Sequence, residues 1–567
     1  MSAPPAVRTS LDKLRSAWAL KGYKREWLRH DLVAGAALFA LLVPAGMAYA
    51  QAAGLPPVTG LYATVVPLLV YAVVGPSRIL VLGPDSALAP LIAAAIMPLA
   101  VGGGEKSVAL AGLLAILVGV IMLLGAALRL GTITGLLSKP IRLGYLNGLA
   151  VYVGLSQLPA FLGIEAGDGS IWEKLGKAFT SVVDGGTNYI AVALGLGSLA
   201  LIWIPRLLKW KVPGVLLAVV ASCLATALWG LNDDVKVTGA LPQGLPAPAL
   251  DGISWADALA LVPPAAGIAL MAFADTGVLS QSLAAKEGKR VSGNREMAAL
   301  GAANAATGFL GGFPICGSSS RTPVAVDAGA KSQLTGAVGA ALVLAFMLLA
   351  PGVTEYLPSA TLAAVVIAAA IALADPAGVR RLLRLSRSES VVMLAAFLGV
   401  LLVGVLQGIL VAIALALLDF VRRAWNPYRT ELGGQEGRPG YHDLTRHPEG
   451  ARIPGLLILR FDAPLFFGNG QVLAGFVREE LDEAEDHVTH VILAAEPITG
   501  IDTTALDDLV TLDEWLARRG VDLVFAELKG PVKDKLVHLG TAARFTPDHF
   551  YSTVGAAVRD LRNQQSQ

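Results

Sequence analysis

The sequence predicts a polytopic α-helical membrane protein of 14 membrane segments, arranged as two inverted repeats of seven, followed by a small soluble α/β domain. Three observations predict it. The chain is 54% hydrophobic and only 15% charged, whereas soluble domains carry about 25% charged residues. Long apolar runs fill the region between Asp31 and Asp419. Each half of that region also contains one short segment interrupted by Gly or Pro, in corresponding positions.

The apolar segments account for the membrane part of the prediction. A helix needs about 20 apolar residues to cross a bilayer, and most of the segments approach that length. The third and the tenth are too short to cross as full helices. Segments are predicted at 32–53, 58–76, 86–100, 107–128, 141–161, 187–205, 213–230, 258–280, 297–312, 319–330, 333–351, 358–375, 390–405 and 407–422.

The basic residues between the segments predict the orientation. On a 14-segment path that starts inside, sixteen basic residues fall in inner loops and four in outer loops. The inner ones are Arg78, Arg129, Lys139, Arg142, Arg206, Lys209, Lys211, Lys286, Lys289, Arg290, Arg295, Lys331, Arg380, Arg381, Arg384 and Arg387. The outer ones are Lys106, Lys174, Lys177 and Lys236. This bias fits the positive-inside rule, so both termini are predicted to be cytoplasmic, at the cell (plasma or inner) membrane.

The two interrupted segments predict the position of a binding site. The first contains Gly83–Ala87 (GPDSA) and the second contains Ser319–Pro323 (SSRTP). Because seven is odd, a second repeat of seven segments must be inverted relative to the first. Paired broken segments in corresponding positions are typical of the substrate site of a secondary transporter.

Arg321 predicts the charge of the substrate. No Asp, Glu, Lys or Arg occurs in 297–320 or in 332–354, so the arginine lies at membrane depth. An arginine there costs at least about 2.5–3.5 kcal/mol on insertion scales, so it is expected to face a partner or a water-filled cavity. Together with the free N–H groups of an interrupted helix, it predicts an anion site.

Composition shifts predict four regions. These are a cytosolic segment at 1–30, a membrane transport domain at 31–424, a linker at 425–450 and a soluble domain at 451–567. In the soluble domain, strands are predicted at 455–461, 488–495 and 521–527 and helices at 470–485 and 504–519. This alternation of strands and helices favours an α/β fold. The basic, amphipathic Met1–Arg29 is expected either to lie on the membrane surface or to pack on the soluble domain.

The sequence lacks the motifs of several other protein classes. It has no P-loop, no zinc-ligand spacing and no nucleophile–base pair in a recognisable context. The sequence therefore predicts no enzyme, no metal site, no cofactor and no nucleic-acid partner. The two cysteines, Cys223 and Cys316, cannot form a disulfide framework.

Six short motifs, together with the C-terminal domain, resemble those of the SulP (solute carrier family 26) anion transporters over essentially the whole chain. Their order and spacing make the match more specific than any one motif. The motifs are Val43–Ala50 (VPAGMAYA), Pro57–Ala63 (PVTGLYA), Val74–Arg78 (VGPSR), Gly83–Ala87 (GPDSA), Gly312–Pro314 (GFP) and Ser318–Thr322 (SSSRT).

The resemblance implies a fold and an assembly. Members of this family have a uracil-permease-like fold of 7+7 inverted repeats, divided into a core and a gate domain, with a cytosolic STAS domain at the C-terminus. The resemblance also implies a homodimer and an elevator-like motion of the core against the gate.

The resemblance also implies the anion-binding residues. The anion is expected between the starts of two half-helices, at Ser86 and Ala87 and at Ser319, Ser320 and Arg321. The alternative for Arg321 is a structural ion pair with Asp327, Asp275 or Asp85. Tyr49 matches an aromatic position that lines the pocket, or it is simply packed between helices. Ala45 falls where several relatives carry Gln, so that donor is absent here.

Two carboxylates are candidates for coupling transport to an ion gradient. Asp275 matches an acidic family position linked to proton or cation coupling, and burial beside an anion favours its neutral form. The alternative role for Asp275 is structural, either as a hydrogen-bond acceptor or in a salt bridge to Arg321. Asp85 departs from the neutral residue of many relatives and is either an N-cap or a second protonatable group. Thr322, in the same motif as Arg321, is assigned to ion coupling together with Asp275 and Asp85.

One loop of the soluble domain is a candidate regulatory site. Gly500–Ala505 (GIDTTA) resembles the Asp-Ser-Ser loop of anti-sigma-factor antagonists, where a hydroxyl is phosphorylated. Thr503 and Thr504 are the candidate acceptors. The alternative is that Asp502 only caps a helix. A cytosolic protein partner of this domain is a further expectation.

These expectations define the function to be tested. The anion site and the family resemblance together imply import of a small inorganic anion, with sulfate first, by proton or sodium symport. Bicarbonate or a dicarboxylate such as fumarate is the alternative substrate. An uncoupled exchanger, a channel or voltage-driven motor, and a membrane-tethered regulatory scaffold are the alternative classes.

Overall fold

The structure is a computed structural model. It describes residues 23–565, apart from 101–103, 132–137, 166–170, 209–212, 242–243, 245–246, 249, 287, 289, 436, 485–486 and 542. Most of the predicted N-terminal segment therefore lies outside the described residues. The chain divides into two compact units, Met1–Ala416 and Leu417–Gln567.

The first unit is almost entirely helical. Its helices are α1 (Leu28–Ala52), α2 (Pro57–Val74), α3 (Ala89–Ile96), α4 (Gly104–Ala127), α5 (Lys139–Ser156), α6 (Leu158–Phe161), α7 (Ile171–Val183), α8 (Tyr189–Leu207), α9 (Gly214–Trp229), α10 (Trp255–Lys286), α11 (Gly293–Phe309), α12 (Arg321–Asp327), α13 (Leu334–Leu349), α14 (Ser359–Leu373), α15 (Pro376–Leu385), α16 (Arg387–Leu398) and α17 (Val405–Trp425), which contains the unit boundary. Two short strands, β1 (Leu82–Gly83) and β2 (Cys316–Gly317), lie among them.

Several helices have the length and composition of membrane spans. Among the described residues, five ranges are long and apolar enough: Arg25–Ala52, Pro57–Val74, Gly104–Ala127, Trp255–Ala285 and Ser359–Leu385. The last contains α14 and α15, which are separate helices. Shorter apolar helices occupy Tyr189–Pro205, Gly214–Trp229 and Leu334–Leu349. A helical membrane unit is therefore confirmed, while the total of 14 segments stays a prediction.

The two interrupted segments form matching strand–turn–helix units. Strands β1 and β2 pair antiparallel, with Leu82 opposite Gly317 and Gly83 opposite Cys316. The helices that follow, α3 and α12, have 8 and 7 residues. At about 1.5 Å per residue they reach less than half of the roughly 30 Å hydrocarbon core. Helix α3 begins three residues later than predicted, because Ser86–Leu88 form a turn.

Small residues allow the helices around these segments to pack closely. A Cβ atom at Gly112 of α4 would lie 2.7 Å from the carbonyl oxygen of Gly308 in α11, and one at Gly308 would lie 2.2 Å from that of Gly112. Helices α1 and α2 meet in the same way, because a Cβ atom at Gly60 would lie 1.9 Å from the Gly46 oxygen. Such backbone contact is typical of helix packing in membranes.

The second unit is an α/β domain around one sheet. Its strands are β3 (Arg429–Gln435), β4 (Arg438–Asp443), β5 (Leu456–Phe461), β6 (His490–Ala494), β7 (Asp522–Ala526) and β8 (Phe550–Tyr551). The spatial order is β4-β3-β5-β6-β7-β8. Strands β5 to β8 are parallel, while β3 runs antiparallel to β4 and β5. The helices are α18 (Gly470–Asp482), α19 (Thr503–Ala517), α20 (Gly530–His538) and α21 (Val554–Gln565).

The region predicted as a linker, 425–450, has regular secondary structure in its described part. It contains β3 and β4, and β3 adds to the central sheet through the pair Arg429 and Phe461. Its glycines hid this from the sequence pattern, since Gly is depleted in strands. Leu432 nevertheless points into the core.

The sheet is buried on both faces, and the alternation of β5 shows it. Leu457, Leu459 and Phe461 pack in the cluster that includes α18 and α19 residues. Leu456 and Ile458 pack in the opposite cluster with α21. Successive side chains of a strand point to opposite faces, so a nearly continuous apolar run is what a doubly covered parallel strand requires.

Candidate anion-binding site

Arg321 is the first residue of α12 and is 1% exposed. Its Nε donates to the hydroxyl oxygen of Ser318 at 2.9 Å, and its Nη2 donates to the backbone carbonyl of Pro84. The third nitrogen, Nη1, is buried and has no hydrogen-bond partner within the described chain. A buried cationic donor without a partner is costly, so this atom identifies where an acceptor is required.

The turn of the first segment makes room for the guanidinium. Gly83 has a φ of 153°, and a Cβ atom there would lie 3.0 Å from Nη1 of Arg321. A side chain at this position would both strain the backbone and crowd the cation. Pairing of β1 with β2 therefore places Arg321, from the second broken segment, directly against the first broken segment.

The structure does not contain the alternative arrangement, in which Arg321 forms an ion pair with Asp327, Asp275 or Asp85. No carboxylate lies within 4.0 Å of its guanidinium among residues that the structure describes. Asp327 is exposed at the far end of α12. The arginine is held by neutral oxygens, which leaves its charge uncompensated by a direct contact.

Asp85 caps the turn before α3. Its Oδ1 accepts from the Ala87 amide at 3.0 Å, and its carbonyl accepts from the amides of Leu88 and Ala89, both at 3.2 Å. The capping role is therefore present, although the helix itself begins at Ala89 with Leu88 as its N-cap residue. The amide of Ala87 is used within this turn.

Ser86 and Ala87 are buried. The hydroxyl of Tyr145 in α5 donates to the Ala87 carbonyl at 3.2 Å. Sequence reasoning missed Tyr145, because nothing in its local pattern distinguishes it from a packed aromatic residue. The structure shows that α5 fixes the position of the first broken segment.

The serines before α12 differ in exposure. Ser319 and Ser320 are exposed, while Ser318 is fully buried. The Ser318 and Ser320 hydroxyls are 3.2 Å apart, and the Ser318 hydroxyl also accepts from the Arg321 amide at 3.2 Å. Ser319 and Ser320 therefore present polar groups beside the buried arginine, whereas Ser318 orients it.

Thr322 has a structural partner. Its buried Oγ1 accepts from the Val81 amide at 3.1 Å, and Ser318 donates its amide to the Val81 carbonyl at 2.9 Å. These bonds extend the β1–β2 pairing into the start of α12. The acceptor expected to contribute to ion coupling therefore binds a backbone amide in the described structure.

Tyr49 and Ala45 lie one turn apart on α1 and are 5% and 7% exposed. Residues four apart occupy the same helix face. The electrostatic surroundings of Tyr49 include Asp85, Ser86 and Arg321. The structure thus brings Tyr49 to both broken segments, while Ala45 contributes only a small apolar surface.

Asp275 of α10 is half-buried and makes no hydrogen bond or ion pair within the described chain. The charged groups that interact with it electrostatically are Arg142 of α5 and Asp85. Its neighbour Thr276 accepts from the Gly317 amide at 2.8 Å and so fixes α10 against β2. Asp275 therefore lies near the broken segments, with Arg142 rather than Arg321 as its basic neighbour.

Two buried carboxylates outside the predicted site hold the broken segments in place. Asp31 of α1, fully buried, accepts from the amides of Lys331 and Ser332 and from the hydroxyls of Ser332 and Thr335, at 2.6–3.1 Å. It therefore holds the turn that connects α12 to α13. In the sequence, Asp31 marks only the point where the apolar region begins.

Glu296 of α11 is the second buried carboxylate, at 1% exposure. It accepts from the hydroxyls of Ser77 at 2.8 Å and Ser280 at 2.6 Å, and from that of Tyr71. Gln333, next to the Asp31 contacts, donates to the carbonyls of Ser77 and Leu80 at 2.8 and 2.9 Å. One polar network thus joins the chain before β1 to the chain after α12.

In the second unit, Asp502 is the N-cap of α19. Its side chain accepts from the Ala505 amide at 2.9 Å and from the Phe467 amide at 2.8 Å. Thr503 and Thr504 are the first two residues of the helix and are exposed. The cap explains the motif, and both hydroxyls are accessible.

Among the residues that the structure describes, no three or more His, Cys, Asp or Glu side chains are grouped so that they could hold a metal ion.

Comparison with known proteins gives the family. Residues 28–396 match the sulfate permease family and residues 447–557 match the STAS domain. A probable sulfate transporter of Mycobacterium tuberculosis (strain ATCC 25618 / H37Rv) is 37% identical over 545 residues, covering 96% of this chain and 97% of the relative. Probable sulfate transporter 3.3 of Arabidopsis thaliana is 30% identical, covering 95% and 89%.

Solved structures agree in fold. The murine solute carrier 26 family member A9 anion transporter, in the inward-facing state, superimposes with a TM-score of 0.89 at 22% identity, covering 99% of this chain and 96% of that one. The transmembrane domain of a cyanobacterial bicarbonate transporter matches 69% of this chain with a TM-score of 0.61 and 22% identity. From these matches, the chain belongs to the sulfate permease (SulP, solute carrier 26) family of membrane transporters, with a C-terminal STAS domain.

Proposed function

We propose that this protein is a secondary active transporter that imports a small inorganic anion, sulfate in the first place, by symport with H⁺ or Na⁺. Family membership supports transport, since the relatives are named transporters rather than enzymes. The observation that carries the proposal is the buried Nη1 of Arg321, which has no partner in the described chain and lies beside Gly83.

The anion is proposed to bind between the two broken segments. Arg321 offers one charge-assisted donor, and such hydrogen bonds are about twice as strong as neutral ones. Ser86 and the exposed Ser319 and Ser320 offer hydroxyl donors, and Tyr49 closes the α1 side. Because the Ala87 amide already serves Asp85, the first segment contributes through Ser86 rather than through that amide.

Charge balance supports a coupling ion. The two positive charges of Arg321 and Arg142 balance the two negative charges of Asp85 and Asp275. A dianion added to this balanced group would leave two uncompensated negative charges in a partly desolvated site. Binding H⁺ or Na⁺ at Asp275, which has no other partner, reduces that cost. Asp85, whose side chain accepts from the Ala87 amide, is the second candidate.

The domain arrangement and the cycle are proposed from the family. The transport domain covers 31–424, its 14 segments form the 7+7 core and gate, and both termini and the STAS domain are cytosolic. The transporter is proposed to be a homodimer in which the core moves like an elevator against the gate. The Asp31–Glu296 network, which holds both broken segments to α1 and α11, would let them move as one body.

Uptake of labelled sulfate into proteoliposomes tests the proposal. We expect saturable uptake that requires an inward H⁺ or Na⁺ gradient, and inhibition by unlabelled sulfate more strongly than by bicarbonate or fumarate. Asp275→Asn should bind sulfate but lose its dependence on the gradient. An exposed replacement in the second unit, Arg518→Gln, serves as control.

Each alternative gives a different result in the same assay. Stronger inhibition by bicarbonate or fumarate than by sulfate would identify that anion as the preferred substrate. Flux that is independent of both gradients would contradict symport and indicate an exchanger. A steady anion current without saturation would indicate a channel.

A further inference from the structure

Helix α15, between α14 and α16, is a short separate helix that the sequence pattern did not predict. Asp375 caps its start by accepting from the Gly378 amide at 2.8 Å. The chain breaks from helical geometry at Ser386, with φ −149° and ψ 117°, and Ser386 then caps α16. A ten-residue helix bounded by two caps, directly after an apolar helix, has the position of an element that lies along a membrane surface.

The side chains of α15 separate into three directions. Arg380, Arg381 and Arg384 are exposed and lie within about 100° of one another at the helical repeat. Leu382 is half-buried on the opposite side, and a Cβ atom at Gly378 would lie 3.0 Å from Leu143 of α5. This fixes which side faces the protein.

Two large apolar side chains remain uncovered. Leu383 is 55% exposed and Leu385 is 69% exposed. They flank the protein-facing side, next to the row of arginines. Exposed leucines beside exposed arginines are the pattern of a helix that lies in the interface of a bilayer, with the leucines toward the acyl chains.

The arginines lack acidic partners. Arg380, Arg381, Arg384 and Arg387, the first residue of α16, make no ion pair within 4.0 Å among the described residues. By contrast, Arg422 and Arg423 of α17 both pair with Asp419, at 3.2 and 2.8 Å. Arg380, Arg381, Arg384 and Arg387 therefore form a patch of uncompensated positive charge, which we name the α15 arginine patch.

We propose that α15 is an interfacial helix and that the α15 arginine patch binds the headgroups of anionic phospholipids. The patch carries four guanidinium groups, which match phosphate oxygens in geometry and charge, and Leu383 and Leu385 insert beside them. The proposal does not depend on which anion is transported, because α15 takes no part in the site around Arg321.

The test compares two lipids on the purified full-length protein in detergent. Phosphatidylglycerol is titrated into the micelles and the unfolding temperature is recorded, with phosphatidylcholine as the neutral reference. The three-residue variant Arg380→Gln/Arg381→Gln/Arg384→Gln is compared with a charge-matched control in the second unit, Arg518→Gln/Lys535→Gln/Arg559→Gln, whose three side chains are also exposed.

Phosphatidylglycerol is expected to stabilise the wild-type protein and the control, and phosphatidylcholine is not. The variant should need more phosphatidylglycerol, by about fivefold for each arginine replaced, with an unchanged unfolding temperature in phosphatidylcholine. Added salt should weaken the effect, since exposed charges are screened. Arg380→Lys/Arg381→Lys/Arg384→Lys, which keeps the charge, should retain most of it.

Two results with the lipids, and one with inorganic phosphate, would overturn the proposal. One is equal stabilisation of the wild-type protein by both lipids. The other is an unchanged response in the Gln variant. If inorganic phosphate alone reproduced the shift at comparable concentration, the patch would be a site for a soluble anion and the lipid assignment would be wrong. A Gln variant that is unfolded in phosphatidylcholine is replaced by the three single variants, read in the same way.

Discussion

The guanidinium of Arg321 donates a hydrogen bond to the backbone carbonyl of Pro84, 237 positions earlier in the chain. This contact joins the broken segment of one half of the membrane unit to that of the other half. Ser318 holds a second nitrogen of the same guanidinium, so the side chain is fixed by neutral oxygens and its third nitrogen is left for an acceptor. The geometry makes Arg321 both a link and a binding group.

Arg321→Lys should separate these two roles. Lysine keeps the charge but cannot reach Ser318, Pro84 and an anion at once, because it lacks the planar fork. We expect the apparent sulfate affinity to fall about 10- to 100-fold, the range for losing one charge-assisted hydrogen bond. Equilibrium binding of labelled sulfate measures this. Unchanged affinity in Arg321→Lys would contradict a role for the fork.

Gly83→Ala should impair transport while the protein remains folded. The new methyl group would lie 3.0 Å from Nη1 of Arg321 at a φ of 153°, which costs about 1–3 kcal/mol in backbone strain and displaces the guanidinium. Gly154→Ala in α5 is the matched control, because nothing lies within 4 Å of the position of its Cβ atom. Equal uptake by the two variants would show that the close approach at Gly83 is unimportant.

Glu296→Ala should destabilise the membrane unit. The replacement leaves the buried hydroxyls of Tyr71, Ser77 and Ser280 without their acceptor, at a cost of about 3 kcal/mol in unfolding free energy. Glu296→Gln should be much milder, since the amide oxygen still accepts and the serine hydroxyls can rotate to accept from its NH₂ group. The losses of stability in Glu296→Ala and Glu296→Gln are compared by measuring their unfolding temperatures in detergent. Equal losses would mean that the negative charge itself is required.

The second unit should lose stability in acid through Asp443. Burial disfavours the charged form, but hydrogen bonds from Tyr428, Thr430 and two backbone amides outweigh it and lower the pKa of Asp443 from 3.8 to about 2. Its stabilising contribution is therefore complete above about pH 4 and is lost as the pH falls toward 2. Asp443→Ala should accelerate hydrogen exchange in β3 and β4 at pH 7 and have little effect near pH 2. If Asp443→Ala accelerated hydrogen exchange equally at pH 7 and pH 2, the ionised carboxylate of Asp443 would not be the source of the stability.

Local sequence patterns predicted much of the fold. Apolar runs located the long helices, and short apolar segments at 455–461, 488–495 and 521–527 predicted β5, β6 and β7. Helix α15 and strands β3 and β4 were missed. An amphipathic helix of ten residues is too short for a clear period, and the glycines of β3 hide a strand whose stability comes from its neighbour β5.

For the site, the sequence predicted residue types better than contacts. Arg321, Ser86 and Tyr49 lie together, as expected from the paired broken segments. The partners of Arg321 could not be predicted, because backbone oxygens such as that of Pro84 carry no sequence signal. Glu296 was missed for a related reason: a carboxylate at the start of an apolar run reads as a loop residue until its burial is known.

The sequence by itself determined that this chain enters a membrane, that it breaks twice in corresponding places, and that a soluble α/β domain follows. Hydrophobicity and helix breaking act over a few residues, so a single chain displays them. Only the tertiary structure decided that Arg321 meets Pro84, that Asp31 and Glu296 are buried, and that Thr276 of α10 meets Gly317 of β2. Those relationships arise from pairings between residues far apart in the chain, where close packing and the satisfaction of buried polar groups select one arrangement.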